Sequence, residues 1–241
     1  MKTRLFICVC ILFSLLSCSS SEKEQLETAL AFADTNRAEL EKVLEYYKND
    51  SLKLKAAIYL IENMPLYYTY KGSDLDSLHI ALEQYAVSDS YDKHLEYLKR
   101  FPYRNLFKEY DAKVITSEYL IENIEYSFKV WRETPWGKYV SFDNFCEFIL
   151  PYRIKDEPLT HWKKDFYHRF KPVLDSLYQG TDVVEATSCL SNYATSLHWK
   201  YQNELTGPHL SAQLLLELQL GDCTSIADFG CYMLRSVGIP A

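Results

Sequence analysis

Apolar residues recur along the chain at helical spacing. Leu26, Leu30 and Ala33 predict a first short helix. Asn36-Arg37-Ala38-Glu39 has the spacing of a capping box, and Leu40, Val43, Leu44 and Tyr47 form the apolar face that follows. Leu54, Ala57, Ile58 and Ile61 predict a third helix. It closes at Met64-Pro65, because the residue before proline avoids α geometry. Leu75, Leu78, Leu82 and Tyr85 predict a fourth, and Leu95 and Leu98 a fifth ahead of Pro102. Short helices with short turns pack as helical hairpins.

From Thr116 the same period continues. Leu120, Ile121, Ile124, Phe128 and Trp131 share one face; Ser141 caps the next helix, which Pro151 ends. Leu159, Trp162, Phe166, Phe170 and Leu174 follow, with Pro172 expected to kink or shorten that helix. Val183 to Leu197 predicts a long helix, and Gly207-Pro208 a turn. Ser211 opens an apolar helix ending at Leu220, with Gly221 as its left-handed stop. The last helix spans residues 224–237 and stops at Gly238. No segment alternates like a strand, and Tyr139-Val140 is too short to count. The expectation is a mainly α chain, with helical regions over 25–115 and 116–198 and a further unit beginning at 199.

Residues 1–17 read as an address. Lys2 and Arg4 precede an apolar run from Leu5 to Leu16, too short to span a membrane comfortably. Leu15-Leu16-Ser17-Cys18 resembles a bacterial lipobox, in which cleavage leaves a lipidated Cys18 at the new N-terminus. Residues 18–24 then serve as a tether. A plain signal peptide with a coincidental cysteine and a short membrane anchor are the alternatives. The lipoprotein reading implies membrane attachment through Cys18 and a place in the cell envelope, at the outer membrane.

Composition narrows the picture. A 48% hydrophobic and 24% charged chain is globular, and 7 Gly with 8 Pro are too few for a many-turned β fold. A net charge of −7 argues against nucleic acid as a partner. Beyond residue 18, Cys146, Cys189, Cys223 and Cys231 remain. With no Cys-x-x-Cys pair and no histidine cluster, neither metal nor cofactor is expected. Cys146, Cys189 and Cys231 lie in apolar helical patterns and read as buried free thiols, although an exported chain could pair them.

Cys223 differs, because it follows Gly221-Asp222 at a helix start. The first turn of a helix offers unpaired N–H groups and a positive dipole end, which favour a thiolate and later an oxyanion. Glycine two residues earlier permits a sharp backbone turn that leaves the sulfur uncovered. Such a thiol suits acyl transfer through a thioester.

Gly221-Asp222-Cys223, then eleven residues, then Arg235-Ser236-Val237-Gly238-Ile239-Pro240-Ala241 resembles the nucleophile helix of the transglutaminase-like superfamily. The similarity is specific over residues 199–241. More loosely, Asn36 to Glu41, Ile61 to Pro65 and Phe145 to Arg153 look like the helical N-terminal region of exported transglutaminase-like lipoproteins of Bacteroidetes type. The resemblance implies a papain-like Cys-His-Asp triad with Cys223 as nucleophile. It places the histidine and aspartate beyond the Gly-Ile-Pro-Ala turn, on a small β-sheet. The 241 residues are thus expected to be the N-terminal part of a longer protein, carrying the helical half of an α+β core. The implied activity is amide or peptide hydrolysis, or acyl transfer, on a peptide or amide substrate. This portion alone is expected to be inactive. The alternative is a non-catalytic all-α lipoprotein that binds peptide or glycan.

Other residues carry two readings each. Trp199 is an oxyanion-hole candidate or a core side chain. Asp222 caps the helix, and Arg235 packs its stem and pairs a carboxylate beside Gly238 and Pro240. His198 and His209 are candidates for the base or surface and core-edge residues, the second being the commoner role of a lone histidine, and Asp228 is read as solvated in preference to catalytic. His161, Lys163, Lys164 and Arg169 look like a solvated face. Tyr152-Arg153 with Glu157 lines a groove or forms a helix-end ion pair. Tyr67-Tyr68-Thr69-Tyr70 is a half-buried aromatic loop, or a surface for carbohydrate or peptide.

Overall fold

A computed structural model describes residues 23–87, 93–101 and 103–241; the leader and Cys18 lie outside the described residues. Side-chain caps set most helix starts. Asp50 accepts from Lys53 N–H at 3.1 Å and opens a helix over Ser51–Asn63. Thr116 accepts from Tyr119 N–H at 3.3 Å ahead of Ser117–Glu133. Ser141, Asp182, Ser211 and Asp222 do the same for Phe142–Phe148, Val183–Thr195, Ala212–Leu218 and Cys223–Ser236. With 23–32 as α1 and Arg37–Tyr46 as α2, these are α3, α6, α7, α9, α10 and α11. Ser73–Ala86 is α4, Lys93–Leu98 α5 and Trp162–Leu177 α8.

The chain is mainly helical, and four short strands correct the expectation of none. Tyr68–Lys71 (β1) pairs antiparallel with Phe107–Tyr110 (β2). The tyrosine run is therefore a strand: Thr69 is buried, while Tyr68 and Tyr70 share the other face. Lys200–Tyr201 (β3) pairs parallel with Leu220–Gly221 (β4). At two residues per strand, these leave no alternation to read from sequence.

Two apolar cores form. One joins α1, α2 and α3 to α6 and α7, with Leu40, Val43, Ile61, Ile124 and Phe145 fully enclosed. The other joins α4 and α5 to α8–α11, around Phe166, Phe170, Leu215, Phe229 and Tyr232. Chain order and packing thus diverge, because α4 and α5 cross over to the C-terminal core. Helix α8 packs on both α6 and α11 and couples the cores.

Three local expectations change. Asn36 and Glu39 do not cap α2. Asn36 donates to the carbonyls of Ala112 and Ile115, at 3.0 and 2.9 Å. Glu39 accepts from Ser117 N–H and Oγ at 2.9 and 2.7 Å, so both residues tie α2 to the start of α6. Helix α8 runs on past Pro172 to Leu177, where burial of Phe166, Phe170 and Leu174 outweighs a lost N–H bond. The left-handed stop of α10 is Gln219, at φ 47°, while Gly221 is extended in β4.

Candidate functional site

Cys223 is the first residue of α11, and its side chain is exposed. Asp222 Oδ1 accepts from Ser225 N–H at 2.8 Å and from Ser225 Oγ at 3.0 Å, which fixes the first turn. Gly221 is required for a steric reason: a Cβ there would sit 2.2 Å from Ser225 Cβ. The approach is locked by Gln202 N–H donating to Gly221 O at 3.0 Å and Lys200 N–H to Gln219 O at 2.8 Å. Cys146, by contrast, is buried, and that burial pushes its thiol up to about 12. Cys189 and Cys231 are only half-buried, which corrects the reading of both as core thiols.

The far end of α11 closes tightly. Gly238 N–H donates to Arg235 O at 3.2 Å and Ile239 N–H to Leu234 O at 3.0 Å, a Schellman motif with Gly238 at φ 75°. A Cβ on Gly238 would come within 2.8 Å of Val130 O in α6. Trp136 Nε1 donates to Gly238 O at 2.7 Å. Pro240 follows, half-buried. Arg235 donates to backbone carbonyls, Ala241 O at 2.8 Å and Arg153 O at 2.9 Å, where a carboxylate was expected. Carboxylates nearby already serve another cation. Asp111 binds the Arg153 guanidinium through both oxygens, and Glu157 accepts from the N–H groups of Ile154 and Lys155 at 2.7 Å. Arg153, Asp111 and Glu157 are all buried, so this is an interior ion pair and no substrate groove.

Along its solvent side α11 presents Cys223, Ile226, Ala227, Gly230 and Leu234. Beside this stripe, α9, Trp199 and Tyr201 complete an open groove of ≈ 500 Å³. Trp199 packs edge-on against Phe229, with ring centroids 5.0 Å apart. Among the described residues, nothing hydrogen-bonds the Cys223 thiol.

No protein-family model, curated protein or solved structure matches this chain.

Two residues expected to be solvated, Asp228 and Lys163, are buried. Asp228 is buried rather than solvated, and its Oδ2 lies 2.6 Å from His209 Nδ1. On the helix, Asp228 lies one turn before the core residue Tyr232, at the edge of the buried face that also carries Phe229; a carboxylate there needs a partner, which is the signal that could have found it. The pair does not serve Cys223. Five residues at ~100° each set Asp228 about 140° round the axis from the thiol. Lys163 is likewise buried rather than solvated. Its Nζ donates to Ser127 Oγ and Ile149 O at 2.7 Å and to Leu150 O at 3.0 Å, filling the carbonyl end of α7. Burial pulls this amine well below its ordinary pKa. Among the described residues, no group of three or more His, Cys, Asp or Glu side chains could hold a metal ion. No helix there is long and apolar enough to cross a membrane.

Proposed function

We propose that the chain carries the nucleophile helix of a thiol-dependent amide or peptide hydrolase or acyltransferase of transglutaminase-like type, lipid-anchored at the cell envelope through Cys18. The single observation that carries this reading is the placing of Cys223: an exposed thiol in the first turn of a 14-residue helix, above an obligatory glycine and beside a capped turn. The N–H groups of Cys223 and Thr224 have no partner within the helix by geometry and are available to a developing oxyanion. The apolar groove along α11 and α9 reaches Ile226, one turn along the helix from Cys223, and suits an extended substrate. In the reaction, Cys223 Sγ attacks the carbonyl, the amine departs with a proton, and water or an acceptor amine releases the acyl group. Among the described residues, no histidine hydrogen-bonds Cys223 to carry that proton.

The test is an alkylation measurement on the full chain with a peptidyl chloromethyl ketone, whose methylene carbon bonds to the thiolate sulfur as chloride departs. Expected is one adduct, at Cys223, formed faster than with free cysteine at pH 7. A rate no faster than free cysteine removes the thiol reading. It leaves the second one, a non-catalytic lipoprotein that holds peptide or glycan. What favours that second reading is the separation of Cys223 from the His209–Asp228 pair. Radiolabelled palmitate retained by Cys18→Ser would exclude the anchor at Cys18.

A further inference from the structure

The segment 205–210 carries His209 to α11 and is tied at both ends. Thr206 donates to Leu98 O through its N–H and its hydroxyl, at 2.9 and 2.8 Å, and Phe101 N–H donates to Thr206 Oγ1 at 3.1 Å. His209 N–H donates to Asp156 Oδ1 at 2.9 Å. Asp228, a buried carboxylate, accepts only, so His209 Nδ1 carries the proton of their shared bond. Nε2 is then the atom left for chemistry, since nothing among the described residues bonds it. His209 lines a cavity of ≈ 170 Å³. Leu78, Leu82 and Leu205 give it an apolar wall, and the hydroxyl residues Thr224 and Ser225 stand at the first turn of α11.

We propose that this cavity is a hydrolytic site for short-chain acyl esters, with His209, held by Asp228, as the general base toward water. The leucine wall takes the acyl chain, and the volume limits it to a few carbons. No Lys or Arg lines the cavity, so an uncharged acyl group fits it. As the water oxygen bonds to the ester carbonyl carbon, its proton passes to Nε2. The tetrahedral adduct then collapses, the bond from carbon to the alcohol oxygen breaks, and Nε2–H returns the proton to the departing alkoxide. The products are a carboxylic acid and an alcohol, and Asp228 holds the imidazole through Nδ1. The Asp228 hydrogen bond raises the pKa of His209 against burial, with Asp156 and Glu157 adding to it; Asp222 is the other acid lining the cavity.

The site is independent of the thiol, and the experiment keeps the two apart. Hydrolysis of 4-nitrophenyl butyrate is measured on the full chain in a Cys223→Ser background, with folding followed by circular dichroism. Adding His209→Gln should lower the rate by about 100-fold, within the range typical of general base catalysis. Asp228→Asn should lower it less and move the pH profile to lower pH, an effect that a merely structural role would not produce. Leu78→Trp, which fills the cavity, should raise KM for butyrate more than for acetate. A background rate no greater than that of equimolar free imidazole would overturn the proposal. So would His209→Gln matching its background. Neither outcome touches the adduct test for Cys223.

Discussion

At the C-terminal end of α11, Ser236, Val237, Gly238 and Ile239 are buried, and the N–H groups of Val237, Gly238 and Ile239 and the carbonyl of Gly238 are hydrogen-bonded. At the N-terminal end, Cys223 and Thr224 face solvent, and Asp222 with Gly221 holds the turn from beneath. One helix thus has an anchored end and an exposed end. The difference teaches how a reactive group is placed: rigidity is supplied some 20 Å away (14 residues at ~1.5 Å each) and carried along the helix. Local stability should therefore fall from Gly238 toward Cys223.

The comparison is most open to attack at the anchor. Asp111→Asn leaves the buried Arg153 guanidinium without its bidentate carboxylate and with only Glu157, 4.0 Å away, as counter-charge, and Arg153 O is a seat for Arg235. The expected cost is about 3–5 kcal/mol, read as a lowered urea midpoint at constant slope. A loss below about 1 kcal/mol would mean that the anchor is held by packing alone. Gly238→Ala forces a side chain into left-handed backbone and toward Val130 O. About 2–3 kcal/mol is expected, from the φ penalty and the overpacking together. At the exposed end the effect should be smaller. Asp222→Ala removes one cap, for about 1 kcal/mol, and hydrogen exchange should rise in the first turn of α11 but not in the last. Uniform exchange along the helix would contradict the anchored-end picture.

How far the sequence discloses this arrangement depends on the range of the interaction. Caps at Ser141, Ser211 and Asp222 and the stop at Gly238 are local in sequence, and the structure has all four. Asn36 and Glu39 carry the same local signature and are used at a distance, on Ala112, Ile115 and Ser117. The charge of Lys163 suggests solvent, whereas its helix position, next to Trp162 and three residues before Phe166, belongs to the buried face. Its partners are carbonyls at the end of another helix, which no side-chain pattern encodes. The position of Cys223 follows from one short motif. The His209–Asp228 contact closes a gap of 19 residues between a loop and a helix and has no periodicity to betray it.

That contact supplies the smallest effect and the sharpest sign. His209 gains a carboxylate partner on folding, so its folded pKa lies above the unfolded value of about 6.5. The folded state binds the proton more tightly. The stabilisation is therefore fully present below about pH 6.5 and is lost as pH rises through the folded value. His209 is partly exposed, and solvent screening limits the effect to roughly 0.5–1 kcal/mol. Stability measured by urea at intervals from pH 5.5 to 9 should thus decline more steeply in the wild-type chain than in His209→Gln. Asp228→Asn should flatten the same interval, since it removes the partner and keeps the shape. Taking the difference between curves cancels every group that the chains share. Parallel curves would show that the pair does not form in solution. The exposed end of α11 would then carry its thiol with no proton-transfer pair on the adjoining face.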